Sequence, residues 1–281
     1  MPQHFVAPPE WGWYIVWYFF LGGISGGAYV LGTLLRLSGD RRDQPMARLA
    51  FLLSFPAMAV CPLLLTLDLG QPMRFWHMLW NSADGGPTFK YWSPMSVGSW
   101  VLVLFSLFTT ISFVDALAPQ GWLRGAFGRL FHIAGALLGL ALAGYTGVLL
   151  SVSNQPVWSD TWALGGLFLA SGLSVATAAL ALLAAGRRTE PTTAGKLWRV
   201  DGWFLLLELA LLVVFVVSLG SVARRFTQGP WWILWLLVLA GNLVPLALHL
   251  RTAAARGAIA SILVLVGGLA LRVAVVFGAQ A

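Results

Sequence analysis

The sequence predicts an all-α, polytopic membrane protein with eight transmembrane helices, and three observations carry that prediction. Of 281 residues, 59% are hydrophobic and only 10% charged, where soluble domains carry about 25% charged residues. The apolar residues gather into eight segments, each near the ~20 residues that cross a bilayer. The basic residues, finally, partition to one side of those segments, as the positive-inside rule requires. Mean hydropathy is +0.81 and the isoelectric point about 10.3. In a soluble protein such basicity would suggest nucleic acid. Here the charges sit in short loops that set topology, so no nucleic-acid partner is expected.

The eight segments are approximately Trp13–Leu35, Ala47–Leu69, Pro94–Leu117, Leu130–Val152, Ala163–Ala185, Gly202–Val222, Trp231–Leu250 and Ala258–Phe277. They form a single membrane domain over residues 1–281, expected as two packed four-helix bundles. Only the Gly70–Ser93 and Gly186–Val200 loops have any length. The segment before Trp11 has no Lys or Arg and so lacks the basic n-region of a signal peptide; it reads as a short tail. The loops after the odd-numbered helices hold Arg36, Arg41, Arg42, Arg48, Arg124, Arg129, Arg187, Arg188, Lys196, Arg199, Arg251 and Arg256. The opposite loops hold Arg74, Lys90, Arg224 and Arg225. The first set is therefore placed in the cytoplasm. Both termini and the Gly70–Ser93 loop then face the periplasm of a bacterial cytoplasmic membrane. Trp11, Trp13, Trp76, Trp80, Trp92, Trp158, Trp162, Trp231 and Trp232 fall at the outer level, as an aromatic belt does.

In the first helix, Gly22, Gly23, Gly26 and Gly27 make two overlapping G-x-x-x-G pairs. They serve close backbone packing, or else a thin wall beside a flat ligand. Tyr14, Tyr18 and Gly22 are four apart and share that face. The second helix contains Pro56 and Pro62 and ends at Asp68-Leu69-Gly70. Gly70 and Pro72 read as a cap and a stop. Asp68 does not, because an acid in the last turn opposes the helix dipole. Two readings stand for it: a structural ion pair with Arg74, or proton handling beside His77. Tyr145 in the fourth helix lies about 22 Å from the inner end, in the outer half. Arg272 of the eighth helix lies at a similar level, where an arginine needs a polar cavity or an acid. In the sixth helix, Asp201 sits at the inner mouth and Glu208 about 10 Å further in, on the same face. Glu208 is either part of a structural pair or functional. Asp115, near the inner end of the third helix, can join Asp201 and Glu208 in a polar path, with His132 and His249 nearby. Asn242, Pro245 and His249 share one face of the seventh helix.

Cys61 is the only cysteine, which excludes an intrachain disulfide and a Cys-ligated iron–sulfur cluster or zinc site in this chain. His132 and His249 are the one pair at matched depth for a transmembrane haem, and no haem-lining residues accompany them. No metal site is expected. What remains is a lipid-accessible pocket with tyrosines, tryptophans, an acid, a histidine and an arginine. Such a set suits a quinone: aromatic groups cover the ring, donors bind its carbonyls, and ionisable groups exchange two protons.

Several stretches carry a family resemblance. They are F-F-L-G-G-I-S-G-G at Phe19–Gly27, L-D-L-G-Q-P-M-R-F-W at Leu67–Trp76, S-P-M-S at Ser93–Ser96 and G-Y-T-G-V-L-L at Gly144–Leu150. D-G-W-F-L-L-L-E at Asp201–Glu208, G-N-L-V-P at Gly241–Pro245 and G-G-L-A-L-R at Gly267–Arg272 extend it. Together they resemble the NrfD-like family, the polysulfide reductase membrane subunits, over nearly the whole chain. The resemblance implies a quinone-reactive anchor of a multi-subunit oxidoreductase in anaerobic respiration, without haem. It implies a docked ferredoxin-like iron–sulfur subunit on the periplasmic face and usually a molybdopterin catalytic subunit beyond. Some members place a histidine at the quinone carbonyl where Tyr18 stands; a tyrosine donates the hydrogen bond but does not titrate near neutral pH. Tyr145 is carried over as a quinone contact. The expected roles follow: Asp68 and His77 for protons; Tyr14, Tyr18, Arg74, Tyr145 and Arg272 around the quinone; Asp115, Asp201 and Glu208 along a proton path. A proton-coupled secondary transporter, using Glu208 and Arg272, and a purely structural anchor are the alternatives.

Overall fold

The computed structural model describes residues 10–82, 85–118, 121–185, 191–227, 230–249 and 258–280. His4, Arg187, Arg188, Leu250, Arg251 and Arg256 lie outside the described residues. Eight helices among the described residues are long and apolar enough to cross a membrane. They are α1 (Trp13–Leu37), α2 (Gln44–Asp68), α3 (Pro94–Leu117), α4 (Gly125–Ser151), α5 (Leu164–Ala185), α6 (Pro191–Leu219), α7 (Trp231–His249) and α8 (Ala258–Gln280). The chain is a multi-pass membrane protein.

Local chemistry explains the ends. Ser93 caps α3 by accepting from the Ser96 backbone N–H at 3.4 Å, with Pro94 in the first turn, where its missing N–H costs nothing. Asp40 caps the 3-10 turn Arg41–Asp43 through the Arg42 N–H. That bond, together with Lys196, holds the Asp40 carboxyl below the usual carboxylate range. The expected cap at Gly70 is corrected: the residue after α2 is Leu69, in extended conformation, and Gly70 does not adopt positive φ. The chain turns into a 3-10 segment, Pro72–Met78, then a two-residue antiparallel hairpin pairing Trp80 with Pro87 and Asn81 with Gly86.

Two helices are central. Burial reaches 89% of the apolar window in α1 and 78% in α5, against 22% in α7, so α1 and α5 face protein on most sides and the others face lipid on one. α1 contacts α2, α4, α5 and α8; α5 contacts α1, α4, α6 and α8. Around them, α2 meets α3, α3 meets α4, α6 meets α7 and α7 meets α8. The close approaches use glycine. A Cβ on Gly26 would strike the Gly139 carbonyl of α4, and one on Gly241 of α7 would lie 2.7 Å from the Gly267 Cα of α8. Without a hydrophobic drive between helices in lipid, such contacts and interhelical hydrogen bonds hold the bundle together.

The start of α1 and the end of α8 meet on one face: the Trp11 N–H donates to Gln280 Oε1 at 2.8 Å, and Gln280 Nε2 donates back to the Trp11 carbonyl at 3.1 Å. The opposite face is closed by two ionic latches. Arg36 Nη1 bonds Asp115 Oδ2 at 2.9 Å. Lys196 Nζ bonds the buried Asp43 at 2.7 Å, which also accepts from Ser38 and Thr193. The second latch explains why α6 begins at Pro191 rather than the expected Gly202: its polar first turns stay helical above the apolar run because they are tied to the α1–α2 turn.

Candidate functional site

Tyr18, in the first turns of α1, is buried beside Tyr145 of α4 and Cys61 of α2. At Gly22, one turn further along α1, a Cβ would stand in ordinary contact with Tyr18 Cε2 at 3.9 Å, Cys61 Sγ at 4.0 Å and Leu142 Cδ2 at 4.0 Å. Tyr145 is half-buried, and its ring lies directly on the backbone of Gly98 in α3, in the space a side chain there would take. Cys61 Sγ is spent on the Ala57 carbonyl at 3.2 Å. Neither tyrosine hydroxyl bonds a described residue. The arrangement brings two tyrosines from different helices to one level of the bundle, among apolar side chains.

The other residues expected around this pocket divide. Tyr14 stands at the mouth of α1, 47% exposed. Asp68 is half-buried at the end of α2 and makes no ion pair among the described residues. Of the two readings for Asp68, the ion pair with Arg74 is not formed. The 3-10 segment carries Arg74 outward into solvent, with its carbonyl 3.3 Å from His77 Nδ1. His77 is exposed and stacks on Trp76 at 3.7 Å between ring centroids.

Arg272 does not join the tyrosines. It is fully buried, donating through Nη1 to the Gly268 carbonyl at 2.7 Å and to Ser171 Oγ at 3.1 Å. Its guanidinium lies 5.6 Å from the Phe20 ring and 5.3 Å from Phe168, a cation–π setting. Gly23 is needed for it: a Cβ there would stand 2.9 Å from Nη2. The opposing charge is Glu208 of α6, buried to 2% exposure and facing Ser171, Asn242 and Ser174 as well. The pair is not in direct contact, and Arg272 Nε, Arg272 Nη2, Ser174 Oγ and Asn242 Oδ1 are buried without partners among the described residues. Asp201, one face along α6, feels Glu208 and lies 3.7 Å from His249 Nε2. His249 also bonds the Pro245 carbonyl at 2.8 Å and the Trp198 carbonyl at 3.0 Å.

Asp115 is a correction. Expected on a proton path with Asp201 and Glu208, it is locked instead between α1 and the α3–α4 turn. Its Oδ1 accepts the Trp122 and Leu123 N–H groups, and its Oδ2 accepts Arg36. A carboxylate holding three donors is a staple. His132 and His249 have separate surroundings: His132 stacks on Phe51 beside Tyr29, and His249 on Trp198.

Sequence reasoning missed Gly98 and Cys61 beside the tyrosines, and Ser171 and Ser174 beside Glu208 and Arg272. The one available signal was a small residue wherever a neighbouring helix brings a large polar one, and that requires knowing the neighbour.

The family described as polysulphide reductase, NrfD, matches residues 3–281. A polysulfide reductase polypeptide of Wolinella succinogenes is 27% identical over 307 aligned residues, covering 96% of this chain and 94% of its own length. Protein NrfD of Escherichia coli is 28% identical, covering 85% and 83%. A selenate reductase polypeptide of Mesobacillus selenatarsenatis matches at 29% over 99 residues, 35% of this chain and 21% of its own length. With the family matching from end to end, this protein belongs to the NrfD family of polysulphide reductase membrane proteins.

Proposed function

We propose that this chain is the quinone- or quinol-reactive membrane subunit of a multi-subunit respiratory oxidoreductase. In this reading it exchanges electrons between the membrane quinone pool and an iron–sulfur subunit docked on its periplasmic face. The observation that carries the reading is the buried Tyr18 of α1 beside Cys61 of α2 and Tyr145 of α4, whose ring lies on the bare backbone of Gly98 in α3. The family relationship to polypeptides of polysulfide and selenate reductases supports the same assignment. Two donor hydroxyls hold the carbonyl oxygens of a quinone, and the Tyr18, Leu142 and Cys61 walls exclude water from its ring. Reduction of the ring takes two electrons and two protons. Asp68, at the outer end of α2, is the carboxyl that supplies or takes the protons, with His77 on the solvent side. The exposed Met73, Phe75, Trp76, Tyr91 and Trp92 of the outer loop are the surface for the iron–sulfur subunit, with a molybdopterin catalytic subunit beyond.

The remaining parts of the reading follow from the helix contacts and charges. In this reading α1–α4 form one four-helix bundle and α5–α8 a second, the first holding the quinone. The second holds the Asp201–Glu208–Arg272 row, which serves as a proton route. Buried polar atoms are nearly always paired, so bound water belongs between Glu208 and Arg272. Arg272 acts there as the counter-charge of Glu208, and not as a quinone contact.

The test is quinol-dependent turnover of the purified complex. Tyr18→Phe and Tyr145→Phe remove one donor each and should each lower turnover about tenfold or more while the complex still assembles, since a lost hydrogen bond to a reacting oxygen costs ~1.5–3 kcal/mol. Full turnover in both variants would support the structural-anchor reading. Solute transport by the protein alone would support the transporter reading.

A further inference from the structure

A groove of ≈ 620 Å³ opens between the first turns of α6 and the end of α7, lined by Thr192, Lys196, Arg199, Trp203, Leu206 and Leu246 among others. It exists because α7 leans on α8 far more than on α6. Its polarity runs in one direction. Thr192, Lys196 and Arg199 stand at the water end, over the first three turns of α6. Trp203, 67% exposed, and Leu206, 43% exposed, follow down the same helix. From Arg199 to Leu206 is about 10 Å along the axis. Leu246 of α7 completes the apolar wall.

The charges at the mouth are not equally committed. Lys196 already bonds Asp43 at 2.7 Å and Asp40 at 3.4 Å, leaving one of its three donors. His249, at the floor, faces the Pro245 and Trp198 carbonyls. Arg199 is exposed and makes no ion pair with a described residue. An arginine fork with a lysine donor one turn before it recognises a phosphate. A tryptophan at the interface followed by leucines recognises acyl chain. Neither a soluble anion nor a neutral lipid uses both ends of the groove.

We propose that the α6–α7 groove is a binding site for an anionic phospholipid, its phosphate on Arg199 and the remaining Lys196 donor, its acyl chain along Trp203, Leu206 and Leu246. The site is independent of the quinone pocket and of the direction in which the protein sits in the membrane. Basic pockets between transmembrane helices are a recurring means of holding acidic headgroups.

The experiment is native mass spectrometry of the full-length protein in detergent, offered phosphatidylglycerol and phosphatidylcholine at equal concentration. The wild type should retain one phosphatidylglycerol with at least about fivefold preference, the effect of one basic group at a headgroup. Arg199→Gln should abolish the preference. Arg225→Gln, on the opposite face, should keep it, and Trp203→Ala should weaken retention of both lipids. A large excess of glycerol 1-phosphate should not displace the lipid. Equal retention of the two lipids by the wild type, an undiminished preference in Arg199→Gln, or an equal loss in Arg225→Gln would overturn the site. Displacement by glycerol 1-phosphate would reduce it to a phosphate contact and overturn the lipid assignment.

Discussion

The ring of Tyr145 in α4 rests on the bare backbone of Gly98 in α3, and the tyrosine hydroxyl and ring carbons occupy the space where a side chain at 98 would be. Gly98→Ala therefore moves Tyr145 without touching its chemistry. Overpacking of this kind costs about 1–3 kcal/mol. Quinol-dependent turnover of Gly98→Ala should fall at least as far as in Tyr145→Phe, with helical content by circular dichroism unchanged. Turnover at the wild-type level would mean that the position of this ring does not matter.

Glu208 of α6 and Arg272 of α8 are opposite charges that face each other without direct contact, neither more than 2% exposed. Removing one charge leaves the other buried and alone, at about 3–5 kcal/mol. Arg272→Gln should sharply lower the yield of folded protein. The double variant Glu208→Gln with Arg272→Gln should recover much of it, read as the midpoint of thermal unfolding in detergent. No recovery in the double variant would show that the two charges are not coupled.

Asp115 ties α3 and the α3–α4 turn to Arg36 of α1. Asp115→Ala strands Arg36 and two backbone N–H groups, a loss of about 3–5 kcal/mol. Folded yield should drop, yet turnover per assembled complex should stay within about twofold of wild type. A large fall in turnover with normal folding would return Asp115 to the proton path.

Asp68 and Arg74, close in sequence, make no ion pair. In a double-mutant cycle on quinol turnover, Asp68→Asn and Arg74→Gln should be additive within about 0.5 kcal/mol, with Asp68→Asn much the more severe. A coupling energy above about 1 kcal/mol would restore the ion pair.

The fold was legible wherever the apolar run and the helix end together. α3 runs Pro94–Leu117 and α7 begins at Trp231, as their hydrophobic runs indicate. The start of α6 was not legible, because Thr192, Lys196 and Arg199 interrupt the apolar pattern while the helix continues through them. The added turns lie outside the apolar run and leave the spacing of Asp201 and Glu208 unchanged; what helix counting could not show is that Glu208 faces Arg272 of α8. The tyrosines' common depth was readable from helix counting, whereas Gly98 and Cys61 were not, since sequence gives depth but not which helices face each other. Asp68 and Arg74 illustrate the reverse: near neighbours in sequence, they are separated by a change from α-helix to 3-10 segment that sequence spacing does not reveal.

The most direct measurement is photolabelling of the assembled complex with an azido-quinone, followed by peptide mapping with and without excess natural quinone. The pocket at Tyr18 predicts competed label on α1 and α4 peptides, those holding Tyr18 and Tyr145, and its loss in Gly98→Ala. Competed label confined to α5–α8, around Glu208 and Arg272, would contradict the assignment of the quinone to the tyrosine pocket.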